Sequence, residues 1–356
     1  MFSSFGFFCV IPVSAGMTDD YLYTSLVSNK WYNCLIMSQI RVGIVRGGPS
    51  SEYEVSLKTG ATVLKHLPDK YHREDILITK DGIWHWRGEP INPLNLKNHL
   101  DLAFLCLHGE YGEDGQVQKL LDTIDLPYTG SGSLASALGM NKLHTKNYLK
   151  DTGIKMARHI HVRAGDDIKV KARSAFAKFA PPYIVKPADR GSSVGLYIVK
   201  TTADLPEAIV KCLEVSGSVL VEEYIKGKEA SCGVVEGLRG QKIYALLPVE
   251  IRPPKGKDVF DYDAKYSGQS QELCPGNFTS AENKEISRLA SLAHQKLGLR
   301  HYSRSDFIIS PRGIYYLETN TLPGLTTESL LPKELRAIGL SYPDFLEHLI
   351  KLSLKK

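Results

Sequence analysis

The chain has 356 residues, a hydrophobic fraction of 43%, a charged fraction of 23% and a formal net charge of +5. That length implies two or three domains, and the composition is that of a soluble globular protein. The charge is mild and no block of like charge occurs, which argues against a nucleic-acid partner and leaves room for an anionic small molecule. The six cysteines form no C-x-x-C pair and sit at no zinc spacing. Cys106 falls in the apolar run Leu102–Leu107, so we expect a reducing, cytoplasmic setting without disulfides.

Residues 1–37 stand apart. They hold a short apolar stretch, but no Lys or Arg precedes Lys30. A secretory signal needs a basic start, and the run is too short to span a bilayer. We expect a disordered extension or a mis-assigned start, and no membrane partner.

Ile40 to Val45 is a β-branched run followed by the turn Arg46-Gly47-Gly48-Pro49-Ser50 and a helix over Ser56–His66. Further apolar strands fall at Ile76–Ile78 and Ala103–Leu105. This alternation predicts an α/β part built on an open parallel sheet, with ligands beyond the strand carboxyl ends. The turns GGPSSEYEVS and HGEYGEDG lie at those ends.

A second region starts near Ser133 with one long helical pattern ending at Gly153. Strands at Tyr183–Lys186, Gly195–Val199 and Val219–Glu223 follow, with a helix over Asp204–Leu213. A third, α+β region carries a polar loop from Arg252 to Gln271, a helix over Glu282–Leu297, a strand pair and a final helix.

The strand pair is the strongest local signal. In SRSDFIISPRGIYYLETN, a three-residue turn Pro311-Arg312-Gly313 would pair Ser310 with Ile314. Asp306 then faces Glu318 and Arg304 faces Asn320, on one side of the sheet. Asp306, Glu318 and Asn320 offer three oxygen ligands, which suit Mg²⁺. A two-residue turn would shift the register and separate them.

No Walker A sequence occurs. Gly191-Ser192-Ser193-Val194-Gly195 fits the G-x-S-x-G elbow of a serine hydrolase with Ser193 as nucleophile, but an elbow joins a strand to a helix, and strand-like segments flank this one. A glycine loop over phosphates fits better, with Lys142 and Lys186 supplying charge.

GGPSSEYEVS, HGEYGEDGQVQ, LPYTGSG, IVKPADRGSSVG, YDAKY, SRSDF and ETNTLPGLTTESLLP occur in the order found in D-alanine–D-alanine ligases, members of the ATP-grasp superfamily. The resemblance runs from Ile40 to the C-terminus. It implies three domains, over residues 38–133, 134–222 and 223–356. It also implies ATP and two Mg²⁺ (or Mn²⁺), with D-alanine as substrate. The product would be D-alanyl-D-alanine for peptidoglycan precursors, made through an acyl phosphate in a cytoplasmic homodimer. By the same resemblance, Glu52 and His108 take the first D-alanine, and Ser329 and Leu330 take the carboxylate of the second. Lys142, Lys186, Ser192 and Ser193 face the phosphates, and Lys265 reaches the γ-phosphate. Glu222, Glu223, Tyr224 and Ile225 meet adenine, and Glu229 meets ribose. Arg304 and the backbone of Gly324 steady the oxyanion, and Asp306, Glu318 and Asn320 hold the metals. Tyr266, Ser192 and Glu52 form a triad across the domains. A ligase for D-lactate or D-serine is the alternative, which Lys265 and Tyr266 disfavour.

Overall fold

The computed structural model describes residues 39–191, 194–252 and 271–355, and no helix among them is long and apolar enough to cross a membrane. Among the described residues, fifteen strands form three sheets. The first holds β1 (Arg41–Gly47), β2 (His72–Ile78), β3 (Trp84–Trp86), β4 (Glu89–Pro90) and β5 (Leu102–Leu105), in the order β4-β3-β2-β1-β5. The second holds β6 (His159–Arg163), β7 (Tyr183–Pro187), β8 (Tyr197–Val199) and β9 (Ser218–Glu223), in the order β6-β9-β7-β8. The third holds β10 (Lys228–Glu236), β11 (Ile243–Ala245), β12 (Val249–Arg252), β13 (Gln271–Leu273), β14 (Tyr302–Ser310) and β15 (Gly313–Asn320). Its path is β13-β12-β10-β14-β15, with β11 also on β10.

Helices among the described residues are α1 (Tyr53–His66), α2 (Gln116–Thr123), α3 (Ser133–Met140), α4 (Lys142–Leu149) and α5 (Ile168–Lys178). They continue with α6 (Leu205–Leu213), α7 (Ser280–Lys296), α8 (Leu330–Ala337) and α9 (Tyr342–Ser353).

The first sheet has the expected parallel core, β2-β1-β5. Buried on both faces, β1 and β5 read as continuous apolar runs, as parallel strands do. The antiparallel hairpin β3–β4 extends one edge, a feature that its short strands hid from the sequence pattern. After β1 the chain turns at Gly47, which takes φ +91°; a Cβ there would stand 2.1 Å from the Ile78 carbonyl oxygen. Only glycine allows so close a turn. The Gly48 amide then donates to that same oxygen at 2.8 Å.

Two expectations need correction. The single helix read from Ser133 to Gly153 is two, α3 and α4. Asn141 breaks it with φ −93° and ψ 105°, and its side chain accepts from the His144 amide to cap α4. The β14–β15 turn is also shorter than read. Ser310 pairs with Gly313, leaving two residues between, and the register holds as far as Phe307 opposite Tyr316. A bulge then makes Leu317 the extra residue and restores Asp306 opposite Glu318 and Arg304 opposite Asn320. The expected pairs form by a different route.

The largest core packs the first sheet against the C-terminal helices: Val42, Ile44 and Phe104 share it with Phe345, Leu346 and Leu349. Phe345 is fully buried and meets Tyr302 of β14 edge-on, ring centroids 6.0 Å apart. Phe345→Ala is therefore expected to lower the unfolding free energy by about 3–5 kcal/mol. Exposed Phe176→Ala should change it by less than about 0.5 kcal/mol. Urea unfolding of the two variants checks both values.

Candidate active site

Two cavities meet in the space between the sheets. The larger, about 330 Å³, has apolar walls from Ile184, Ile225, Ile308 and Leu317 and charged ends from Lys186 and Glu222. Its size and mixed lining suit a drug-sized ligand with few polar anchors. The smaller, about 210 Å³, is lined by Glu52, His108, Arg304, Asn320, Gly324, Ser329 and Leu330. Glu229, Asp306 and Glu318 line both.

Bulge geometry explains part of this wall. In a regular strand Leu317 and Glu318 would face opposite sides. The extra residue lets both reach the larger cavity, Leu317 as an apolar surface and Glu318 as a carboxylate.

Buried charges here are paired with one another, as low dielectric requires. Arg304 clasps Asp306 through two bonds, Nε to Oδ1 at 3.1 Å and Nη2 to Oδ2 at 2.9 Å. Ser231 donates to Oδ1 at 2.5 Å and Asn320 Nδ2 to Oδ2 at 3.2 Å. Burial works against the charge on Arg304, but Asp306 outweighs it and raises its pKa above the ordinary value. Lys142 Nζ lies 3.1 Å from Glu318 Oε2 and donates to the Arg190 carbonyl at 2.7 Å. Lys186 and Lys146 flank Glu222 at 2.9 and 3.0 Å. Burial pushes the Glu222 carboxyl up, yet these two lysines together hold it down at about 2.

His108 is buried, and burial lowers its pKa against the pull of Glu52. Its Nδ1 lies 3.0 Å from the Leu322 carbonyl, which can only accept, so Nδ1 carries the proton. Nε2 accepts from the Thr59 hydroxyl at 2.8 Å. The ring is neutral and locked between α1 and the segment after β15. Ser329 precedes α8 at its N-cap; its hydroxyl accepts from the Thr326 amide at 3.1 Å and stands 2.8 Å from where a Cβ on Gly324 would be. A side chain at position 324 would have to displace that hydroxyl.

Of the residues read from the sequence, Lys142, Lys186, Glu222, Glu223, Tyr224, Ile225 and Glu229 line the larger cavity. Glu52, His108, Arg304, Asn320, Gly324, Ser329 and Leu330 line the smaller. Ser192, Ser193, Lys265 and Tyr266 lie outside the described residues, so the triad is represented by Glu52 alone. The loop that carries Ser193 runs between β7 and β8, two antiparallel strands, which is not the setting of a nucleophile elbow. Glu223, expected to meet adenine, is tied by its side chain to Arg158 at 2.9 Å and to Arg312 at 3.4 Å.

Sequence reasoning missed Lys146 and Glu113. Lys146 stood one helical turn after Lys142, a spacing that shares a face. Glu113 gathers amides from two distant segments: Gly109 at 3.2 Å, Thr321 at 3.0 Å and Leu322 at 2.9 Å. It thereby joins the HGEYGEDG turn to the end of β15.

Two sheets closing on one cavity, with a second cavity at its mouth where carboxylates meet an arginine, is the arrangement of an ATP-grasp ligase. Solved structures agree on the fold. VanG D-Ala:D-Ser ligase from Enterococcus faecalis superposes with a TM-score of 0.80 at 29% identity, over 89% of this chain and all of that one. D-alanyl-alanine synthetase A from Vibrio cholerae gives 0.78 at 28% identity, over 90% of this chain and all of that one. The D-ala D-ala ligase C-terminus model matches residues 148–351 and the N-terminus model residues 85–131. A D-alanine–D-alanine ligase of Geobacter sulfurreducens is 37% identical over 87% of this chain and 93% of its own length. One from Desulforudis audaxviator is 39% identical, over 88% and 98%. The chain belongs to the D-alanine–D-alanine ligase family.

Glu113 supplies a pH test. Burial, and next Glu52, push its carboxyl up to about 7. A group whose folded pKa lies above its unfolded one stabilises below the unfolded value and loses that contribution as pH rises through the folded one. Between pH 5 and pH 8 the native protein should lose on the order of 3 kcal/mol of stability relative to Glu113→Gln. Urea titrations without metal or nucleotide measure the gap between the two; a constant gap would mean that Glu113 stays ionised throughout.

Proposed function

We propose that the chain uses ATP to join two D-alanine molecules into D-alanyl-D-alanine, releasing ADP and phosphate, as a step toward peptidoglycan precursors. The observation that carries this reading is the meeting of the two cavities at Glu229, Asp306 and Glu318. A nucleotide in the larger cavity would present its terminal phosphate where a small acid in the smaller one could reach it. The three sheets support a division into parts at 38–133, 134–222 and 223–356.

In this reading the ammonium of the first D-alanine pairs with Glu52 beside neutral His108. A neutral imidazole fits there, since a second cation would repel the ammonium. The substrate carboxylate attacks the γ-phosphorus of ATP, an O–P bond forms, the phosphoanhydride breaks and ADP leaves. The amine of the second D-alanine then attacks the acyl carbon. A C–N bond forms, phosphate departs and the amine loses a proton. Arg304 and the Gly324 amide steady the oxyanion that develops between these events. Ser329 and Leu330 stand at the start of α8, where the positive end of the helix dipole favours the second carboxylate.

Asp306, Glu318 and Asn320 are hard oxygen donors at the junction, and they fit Mg²⁺ or Mn²⁺. Bound there, a divalent ion would offset charge between phosphates and carboxylate. Arg304 and Lys142 already sit on two of these carboxylates, which holds the donors in place. The family resemblance further supports cytoplasmic action as a homodimer, which light scattering in solution tests.

VanG, a D-Ala:D-Ser ligase, keeps a second reading open at the second-substrate position. Purified protein with ATP and Mg²⁺ should release phosphate when D-alanine is added and yield the dipeptide. D-Serine or D-lactate as second substrate should give much less product. A mixed product in excess over D-alanyl-D-alanine would favour the second reading. No release by folded protein would overturn both. Asp306→Ala and Glu318→Ala should each reduce kcat by at least about 100-fold, as loss of an electrostatic transition-state partner does.

A further inference from the structure

Glu222 is 3% exposed, and its two ammonium partners differ in what else they can reach. Lys186, 2.9 Å from Oε2, is part of the cavity wall. Lys146, 3.0 Å from Oε1, is 4% exposed and lies behind that wall. Its ammonium also donates to the Ala157 carbonyl at 3.2 Å, and Ala157 lines the cavity. The turn of α4 sends Lys142 to Glu318 and Lys146 to Glu222. Lys146 therefore touches no ligand in the cavity; it acts through Glu222 and the Ala157 carbonyl.

We propose that Lys146 is a positioning residue for nucleotide choice: it keeps Glu222 an ionised acceptor, so that the cavity selects a purine with an amino group at C6 over one with a carbonyl there. This rests on the ATP reading above. Phosphates entering the cavity compete for Lys186, which faces them. Lys146 cannot follow: burial lowers its pKa and Glu222 pulls it back up, so the two groups stay paired behind the wall. An ionised carboxylate only accepts hydrogen bonds. An amino group on the base satisfies it. A carbonyl sets oxygen against oxygen and leaves a buried charge unpaired, a strong basis for rejection. With Lys146 gone, the buried carboxyl would take up a proton once Lys186 is engaged elsewhere. A protonated carboxyl both donates and accepts, so it would no longer distinguish the two bases.

The test compares ATP with inosine triphosphate, which carries oxygen at C6, in the native protein and in Lys146→Met, Lys146→Gln and Lys146→Arg. The native ratio of kcat/KM for ATP over inosine triphosphate should fall by about 10-fold or more in Lys146→Met and Lys146→Gln. Most of the loss should lie in KM for ATP, with KM for D-alanine unchanged. Lys146→Arg should restore much of the ratio. In the double variant Lys146→Met/Glu222→Gln the ratio should fall no further than in either single one. Equal losses on both nucleotides, or an unchanged ratio, would overturn the proposal. If Lys146→Met does not fold, Lys146→Gln and Lys146→Arg carry the same comparison. Direct calorimetric binding of the two nucleotides repeats it without D-alanine. That binding result stands even if D-alanine is not the substrate, so the two readings fail separately.

Discussion

The chemistry proposed for this molecule hangs on how β14 pairs with β15. Asp306 opposite Glu318 and Arg304 opposite Asn320 put three oxygen-bearing side chains and a guanidinium on one face of a two-stranded ribbon. A slip of one residue would turn one strand's members of this set to the far side. The two-residue turn, taken alone, sets that wrong register. Leu317 corrects it by bulging, and the correction adds an apolar side chain to the wall of the larger cavity. A single inserted residue thus serves both the facing of Asp306 with Glu318 and the apolar wall of the larger cavity.

A second constraint is that the ribbon must meet a sheet formed more than two hundred residues earlier in the chain. Glu113 and His108 make that joint. One accepts the amides of Thr321 and Leu322, and the other donates to the Leu322 carbonyl. Both come from the turn after β5, at the carboxyl end of a parallel strand, where open α/β sheets place their ligand sites. The joint is polar, buried and directional, so it fixes orientation more sharply than apolar contact could. Around it the apolar core runs from Phe104 to Phe345, so the C-terminal helix α9 closes the same layer that β1 and β5 open.

Much of this was legible beforehand because it is local. The parallel strands announce themselves as unbroken apolar runs, and Gly47 marks a turn with room for no side chain. The ribbon's functional pairs were read correctly, but through a three-residue turn that does not exist. A bulge leaves no mark in a pattern of alternating residues when the extra residue is itself apolar, as Leu317 is. The break at Asn141 was hidden because helix-forming residues flank it on both sides. Only the capping bond to His144 reveals it. Glu113 and Lys146 were illegible for a deeper reason. Their partners, Leu322 and Glu222, are far away in sequence, and no local pattern tells a buried carboxylate from a solvated one.

Four cations of the described site are already paired with carboxylates of the protein. Arg304 lies on Asp306, Lys142 on Glu318, and Lys146 and Lys186 on Glu222. Arg304, Lys142 and Lys186, which the proposed reaction would lend to oxyanion and phosphate, are each already held by a carboxylate of the protein. An empty cavity lined by unpaired charges would oppose folding, because each bare charge keeps its full desolvation cost. Binding on this plan is an exchange of partners. Phosphates would draw Lys142 and Lys186 away, and divalent ions would compensate Asp306 and Glu318 in their place. Lys146 is the one cation of this group behind the wall, and so the one that cannot join the exchange. That asymmetry separates Glu222 from the other carboxylates. They can hand their counter-charge to the substrate complex, while Glu222 keeps its own and stays an acceptor throughout.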